Sequence, residues 1–580
     1  MRFLLRKLKK YRIHFIFLII FVVLQIITQV IITGYVSKTV SYTINALTDS
    51  VDYSDLSSQL FSKSVFLVIV AIIMAVFSVL SGFVSAKMSA GVGRDIRSDF
   101  FKKVMSFSSR ETDKFSISTL ISRCTADITQ VQSTLYLLFS MALLAPVIVI
   151  VGIIAILQYA ADMAIPVGIL VALMLASFAV IMIKVGPFIT KMNVRLDKMN
   201  GSFREFLTGT SVVRAFGMEK WMSNRTKKAS KDYMDMALPS TRYLQILMSL
   251  FNFANNIVAV IVVWIGAYKV SEGVMEVGVM MAVVSYAQMI LTGFTLLSAV
   301  SMQLPRTLVS LKRIEEVMNT DSCIVNGDVP YSALNKSEGI RFQNVSFKYF
   351  EDGGNVLDDI SFTAKCGEVT AIIGATGSGK STILKLISRM YDASQGTVNV
   401  LGEDVRKLDL NEYRKHLGYV SQGSHLFSGS IADNIEFGAS KLDPEEIKEA
   451  ALIAQASEFI SKKESGFDEF VSEGGSNLSG GQRQRIAIAR AISKKPDVFI
   501  FDDSFSALDM KTDAELRAAL SEKIKDSITI IVAQRVSSII HADQIIVLEN
   551  GKIVGMGTHN ELINSCITYR EIAESQKQQR

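Results

Sequence analysis

Apolar residues are gathered in the first half of this chain, in runs long enough to cross a bilayer. Six such runs lie at roughly 13–36, 61–86, 134–159, 163–186, 247–268 and 277–300. The third and fourth are parted only by the turn around Ala160–Asp162, which predicts a tight hairpin outside the membrane. The first run is too long for a signal-peptide core and lacks a small-residue cleavage site, so a retained span is expected. Ahead of it, residues 1–10 (MRFLLRKLKK) have the pattern of an amphipathic elbow helix on the inner surface, with Phe3, Leu4, Leu5 and Leu8 toward lipid. A merely basic flank is the alternative.

Charge orients these runs. The segment after the first span carries Asp49, Asp52 and Asp55 without Lys or Arg, whereas residues 87–132 and 187–242 are rich in both. Basic residues collect on the cytoplasmic side, which predicts six spans with both termini inside. Both basic stretches keep a helical period with charged faces, so the spans should continue below the bilayer as two cytoplasmic loops on which another element docks. Polar residues within the spans are few: Gln25, Gln29, Lys184, Asn252, Asn255, Asn256 and Gln288. Such groups mark helix contacts or a cavity lining, and for Asn255 and Asn256 the two readings stand level. Lys184 sits near an inner end, where it can snorkel. The many Met and Phe side chains suit an adaptable apolar cavity, although most pack ordinary helices.

After Met302 a charged helical segment leads out of the last span, and from Ile340 the pattern changes. Short runs rich in Val, Ile and Phe (IRFQNVSFKYF, EVTAIIG, GTVNVLG, VFIFDD, SITIIVA, ADQIIVLENGKIV) alternate with helical stretches, predicting a largely parallel sheet covered on both faces. The expected divisions are residues 1–10, a six-helix membrane domain over 11–318, a linker over 319–336, an α/β domain over 337–575 and a frayed polar tail over 576–580.

Composition narrows the classes. A net charge of +6 over 580 residues makes no case for nucleic acid. Four scattered cysteines (Cys124, Cys323, Cys366, Cys566) and five histidines fit neither a zinc site nor a thiol redox pair.

The sharpest chemistry is GATGSGKST: Gly374, Ala375, Thr376, Gly377, Ser378, Gly379, Lys380, Ser381 and Thr382, between a strand and a helix. Such a loop points successive backbone N–H groups at anionic oxygens, and the helix aims its positive end at the same charge. Lys380 reaches the β- and γ-phosphates and Ser381 offers a hydroxyl to Mg²⁺. The strand VFIF delivers Asp502 beside the loop, placed to hold that ion. Tyr349 is a candidate for stacking on adenine, or plain core.

These motifs, with LSGGQRQR, resemble a half-transporter of the ATP-binding cassette (ABC) exporters: six transmembrane helices of the domain-swapped type IV kind fused to one P-loop nucleotide-binding domain. The resemblance covers essentially the whole chain, and STLISRCTADITQVQ and FREFLTGTSVVRAFGMEK carry it in the membrane half. It implies ATP and Mg²⁺ as cofactors, with Ser381, Gln422 and Asp502 toward the metal and Tyr349 on adenine. Leu478, Ser479, Gly480, Gly481 and Gln482 become the signature that acts on a partner's ATP, and Ser506, Ala507, Leu508 and Asp509 the D-loop. Asp503, Gln534 and Gln422 fall at the catalytic positions.

Two of these depart from the family pattern, which has Glu where Asp503 stands and His where Gln534 stands. Asp is one methylene shorter, about 1.5 Å from where a water must be polarised, and a misplacement of that order can cost ~100-fold. Gln534 can donate to a γ-phosphate but carries no charge. The resemblance thus leads to the expectation of a heterodimer, with this chain's own site degenerate and hydrolysis mainly at the composite site it completes; an active homodimer in which both are neutral variants, Asp being a plausible base, is the alternative. The expected partner is a second half-transporter with the catalytic Glu, the switch His and an altered signature. The expected function is ATP-driven, multidrug-type export of hydrophobic or amphipathic compounds across the cell membrane. Lipid flipping and peptide, heme or siderophore export are alternatives, as is an ATP-gated channel or regulatory protein.

Overall fold

The computed structural model describes residues 2–48, 53–439, 441–506 and 508–577. Asp49, Asp52, Ala507 and the last three residues lie outside the described residues, as do the side chains of Leu5 and Asp55. The chain divides into two compact units, Met1–Met105 with Ile117–Thr320, and Ser106–Ser116 with Asp321–Arg580.

Among the described residues, the first unit holds six helical paths long and apolar enough to span a membrane. They include Arg12–Thr48, Tyr53–Met105, Ala164–Thr208, Glu219–Ser271 and Val277–Met318. The remaining path, Ile117–Tyr159, is interrupted by π-helical turns at Arg123–Asp127 and Leu138–Ala142. A helix of 53 residues such as Tyr53–Met105 is about 80 Å long at 1.5 Å per residue, against a hydrocarbon core of about 30 Å. Charged cytoplasmic stretches therefore continue the spans as helix, with polar contacts between them. Ser310 Oγ donates to Asp127 Oδ1 at 2.7 Å, and the Thr134 and Thr307 hydroxyls share a hydrogen bond of 2.6 Å. The helix Arg2–Leu8 is tied to the second path through Lys7 and Asp99.

The second unit carries a six-stranded sheet in the order Lys552–Gly557, Gln544–Glu549, Val369–Gly374, Ile528–Val532, Val498–Asp502, Leu417–Val420. All neighbours are parallel except Lys552–Gly557. Val498–Asp502 and Ile528–Val532 are buried throughout because both faces are covered. Ile373, Phe499, Phe501 and Ile531 enter one core, and Ile372, Val498, Ile500 and Ile530 the other.

One reading of the pattern needs correction. Ile340–Phe347 and Gln395–Val400 do not join the parallel sheet. They form a separate four-stranded antiparallel sheet with Leu357–Ala364 and Glu403–Asp404. Exposed Arg341 and Gln343 alternate with buried Ile340 and Phe342, which is the mark of a sheet with one wet face. Of the expected tail over 576–580, Gln576 and Lys577 end the last helix, Ile567–Lys577, and the other three residues lie outside the described residues.

Segments outside the α/β pattern pack into this unit as well. Glu111, on the short helix Ser109–Phe115, is buried and accepts from the Cys323 N–H at 3.2 Å, and Tyr391 donates its hydroxyl to Asp113. In the expected linker, Tyr331 is buried and donates its hydroxyl to Asp497 at 2.6 Å.

Candidate functional site: a phosphate loop at the strand ends

Parallel register brings the site together. Val532 pairs with both Asp502 and Ile372, so the carboxyl ends of three central strands lie side by side, where open α/β sheets bind ligands. The loop after Val369–Gly374 turns into the helix Lys380–Ile387 through Gly377 at φ +85° and Gly379 at φ +101°. Lys380 Nζ arches back over the loop and donates to the carbonyls of Gly374 (2.8 Å) and Ala375 (2.7 Å). Gly379 has a second constraint, since a Cβ there would lie 2.6 Å from Leu357 Cδ2 and 3.0 Å from the Val356 carbonyl. Leu357 is fully buried, so it or the backbone must shift. We therefore expect Gly379→Ala to weaken ATP binding at least about tenfold, from backbone strain of order 1–3 kcal/mol. Equilibrium binding of a fluorescent ATP analogue measures this; unchanged affinity would refute the loop's role as a shaped cradle.

Around the loop is a cavity of about 290 Å³ lined by Tyr349, Thr376, Gly377, Gly379, Lys380, Ser381, Thr382, Gln422, Asp502, Asp503 and Gln534. Tyr349 reaches it from beyond the antiparallel sheet, its hydroxyl 3.1 Å from Thr382 Oγ1 and its ring edge-on to Tyr391. Ser381 Oγ donates to Asp502 Oδ1 at 3.0 Å, with Gln422 in the same wall. A hydroxyl, a carboxylate and a carboxamide oxygen form a donor set that suits a hard divalent cation.

Electrostatics mark the same spot. Burial pushes the Asp502 carboxyl above its ordinary range; the Ser381 hydrogen bond opposes this and the neighbouring Asp503 adds to it. Burial also raises Asp503, against the nearby Ser506 hydroxyl and the charge of Lys380. Lys380 is pushed down by burial and partly restored by the two carboxylates. The site holds ionisable groups that the protein alone does not fully solvate, as expected where charged ligands complete the shell.

Asp503 is held from several sides. Its backbone lies in the left-handed region at φ +50°, and its N–H donates to the Val532 carbonyl at 3.0 Å. Its carbonyl accepts from Gln484 Nε2 at 3.2 Å and from Ser506 Oγ at 3.0 Å. Gln534 Nε2 donates to Asp503 Oδ2 at 2.9 Å. The two residues at which the sequence departs from its family pattern are therefore one hydrogen-bonded pair facing Lys380 across the cavity. Gln484 was missed at the sequence level, although it stands within LSGGQRQR and is buried.

The signature is placed elsewhere. Ser479 caps the helix Gly480–Ser493, its Oγ accepting from the Gln482 N–H at 3.3 Å while Gln482 Oε1 accepts from the Ser479 N–H at 3.0 Å. Leu478 is buried beneath it. Among the described residues, none of Leu478 to Gln482 lines the cavity. In the D-loop, Leu508 is buried and Asp509 caps the helix Met510–Lys523, accepting from the Thr512 N–H at 3.0 Å.

A six-helix membrane domain joined to a P-loop domain, with the signature outside its own nucleotide cavity, defines an ATP-coupled membrane transporter. Residues 357–506 match the family model "ABC transporter" and residues 15–294 the model "ABC transporter transmembrane region". An uncharacterized ABC transporter ATP-binding protein of Mycobacterium tuberculosis is 36% identical over 498 residues, 85% of each chain. A Bacillus subtilis protein named for multidrug export, as an ATP-binding/permease protein, is 34% identical over 377 residues, 65% of each chain. Among solved structures, a bacterial Atm1-family ABC exporter with ATP bound superposes with a TM-score of 0.82, at 23% identity over 98% of both chains. The chain belongs to the ABC transporter family. It is an ATPase-coupled, multi-pass membrane protein with its nucleotide-binding domain in the cytoplasm.

These comparisons correct the expected heterodimer. The finding set against it is the whole-chain match to the fold of an Atm1-family ABC exporter. A degenerate catalytic subunit, and a partner bearing the missing Glu and His with an altered signature, are withdrawn. Asp503 and Gln534 are also acceptor and donor of one contact within the cavity.

Proposed function

We propose that the protein is an ATP-driven exporter of hydrophobic or amphipathic compounds, working as two copies of this chain. Each copy's Leu478–Gln482 segment closes the other's phosphate loop. The observation that carries this reading is the Asp503–Gln534 pair, hydrogen bonded at 2.9 Å in the same cavity as Lys380.

In this reading Lys380 exchanges its two loop carbonyls for the β- and γ-phosphates, and the loop N–H groups take the remaining oxygens. Tyr349 lies against adenine. Ser381, Gln422 and Asp502 would hold Mg²⁺, which neutralises charge on the phosphates when bound. Asp503 orients the attacking water and accepts its proton, and Gln534 fixes the Asp503 carboxylate while offering its remaining N–H toward the γ-phosphate. The multidrug name of the Bacillus subtilis relative supports the substrate class. So does an open apolar groove of about 490 Å³ on the helix Glu219–Ser271, lined by Ile246, Leu250 and Phe253 with Arg242 and Gln245.

The test is the purified chain, without any second subunit, reconstituted in liposomes. Sustained ATPase activity and ATP-dependent movement of amphipathic dyes are expected. Turnover that appears only on adding a different half-transporter would sink the two-copy reading.

A further inference from the structure

The loop that carries Gln534 is gripped from the far end of the chain. Tyr569, Ala573 and Gln576 follow one another at four and three residues on the helix Ile567–Lys577, which places them on one face. Tyr569 and Ala573 are buried in the same core as Val536 and Ile539, and this anchors the helix beside the loop. Gln576, one turn further on, uses both ends of its carboxamide. Nε2 donates to the Gln534 carbonyl at 2.8 Å, and Oε1 accepts from the Val536 N–H at 2.8 Å. The residue between them, Arg535, is bracketed by these two bonds. Beyond it Arg517 holds the carbonyls of Ser537 (3.2 Å) and Ser538 (2.9 Å), so the rest of the segment has its own support.

We propose that Gln576 is a positioning residue for ATP hydrolysis, clamping the backbone at 534–536 so that the Gln534 side chain meets Asp503. Two hydrogen bonds, of 2.8 and 2.9 Å, run from Gln576 through Gln534 to Asp503, and the bond from the Val536 N–H, at 2.8 Å, holds the other end of the Gln576 carboxamide. This loop lies beyond the end of the strand Ile528–Val532. A carboxamide with one donor and one acceptor in use holds its backbone there. The last helix thereby becomes part of the catalytic apparatus without touching nucleotide.

The inference rests on the proposed role of Gln534, and the experiment separates the two. Steady-state ATPase is measured on the full-length reconstituted protein for Gln576→Ala, Gln576→Glu, Gln534→Ala and the double variant Gln534→Ala/Gln576→Ala. Gln576→Ala should lower kcat about fivefold, below the ~100-fold that a full 1 Å misplacement can cost. KM for ATP should stay within about twofold and Tm within about 2 °C, because the buried anchors Tyr569 and Ala573 remain. Gln576→Glu keeps the acceptor for Val536 but sets a carboxylate against the Gln534 carbonyl, so it should fall at least as far. In the Gln534→Ala background, the second change should have no further effect. An unaltered kcat for Gln576→Ala and Gln576→Glu beside an impaired Gln534→Ala overturns the clamp alone. So does an equal loss in both backgrounds, which marks a structural role. If Gln534→Ala itself turns over normally, the assigned role of Gln534 fails and the clamp with it.

Discussion

Gly480→Asp is expected to reduce ATP turnover at least ~100-fold while leaving the protein folded and able to bind nucleotide. Gly480 is the first residue of the helix Gly480–Ser493, directly after the Ser479 cap. A Cβ at this position meets nothing within 4 Å in its own chain, and its φ is not among the positive values. The backbone therefore accepts a side chain, and a carboxylate in the first turn is favoured by the helix dipole. Nothing intrinsic to the subunit should suffer. The penalty arises only if the other copy's γ-phosphate must approach this spot. Like charges about 4 Å apart at an effective dielectric of ~20 repel by about 4 kcal/mol, enough for the stated loss. ATPase rate, nucleotide affinity and Tm measured on one preparation decide the matter. Full turnover would show that the signature does not face a phosphate; loss of turnover together with Tm would show that it serves the fold.

The membrane half was legible because its signal is a length of apolar sequence, which survives any uncertainty in local conformation. The phosphate loop was legible because Gly377, Gly379 and Lys380 are required by backbone geometry and charge at fixed spacing. The antiparallel sheet was harder. Leu357–Ala364 (LDDISFTA) mixes polar and apolar residues, and its pairing with Ile340–Phe347 carries register shifts that blur the period of two. The Asp503–Gln534 contact was hidden for another reason. Against the family pattern, Asp503 and Gln534 each read as a loss. The parallel pairing of Val498–Asp502 with Ile528–Val532 places position 503 beside the loop holding 534, across 31 residues of sequence. From that adjacency, a carboxylate next to a carboxamide reads as a pair with complementary donors and acceptors. The grip of Gln576 had no sequence signal at all, since its partners are backbone atoms.

Asp503→Asn is expected to lower kcat at least ~100-fold without weakening ATP binding, since positioned general bases contribute roughly 10²–10⁴-fold. Asn occupies the left-handed region about as readily as Asp, so the φ of +50° at this position should persist. The contacts of its backbone with Val532, Gln484 and Ser506 do not depend on the side chain. What changes is the group facing Gln534. The carboxylate accepts the Gln534 side-chain N–H with Oδ2, and in the proposed mechanism Oδ1 takes the water. An amide that satisfies Gln534 with its single oxygen presents an N–H₂ to the water, and that group takes no proton. Removing a negative charge beside the γ-phosphate should leave ATP affinity unchanged or tighter, so the defect belongs to kcat. With two identical sites, both are silenced at once and no intact site carries the residual rate. Single-turnover hydrolysis and ATP binding on the purified variant give both quantities. If the variant kept more than about a third of the normal rate, some other group would be activating the water, and the chemistry assigned to the Asp503–Gln534 pair would be wrong.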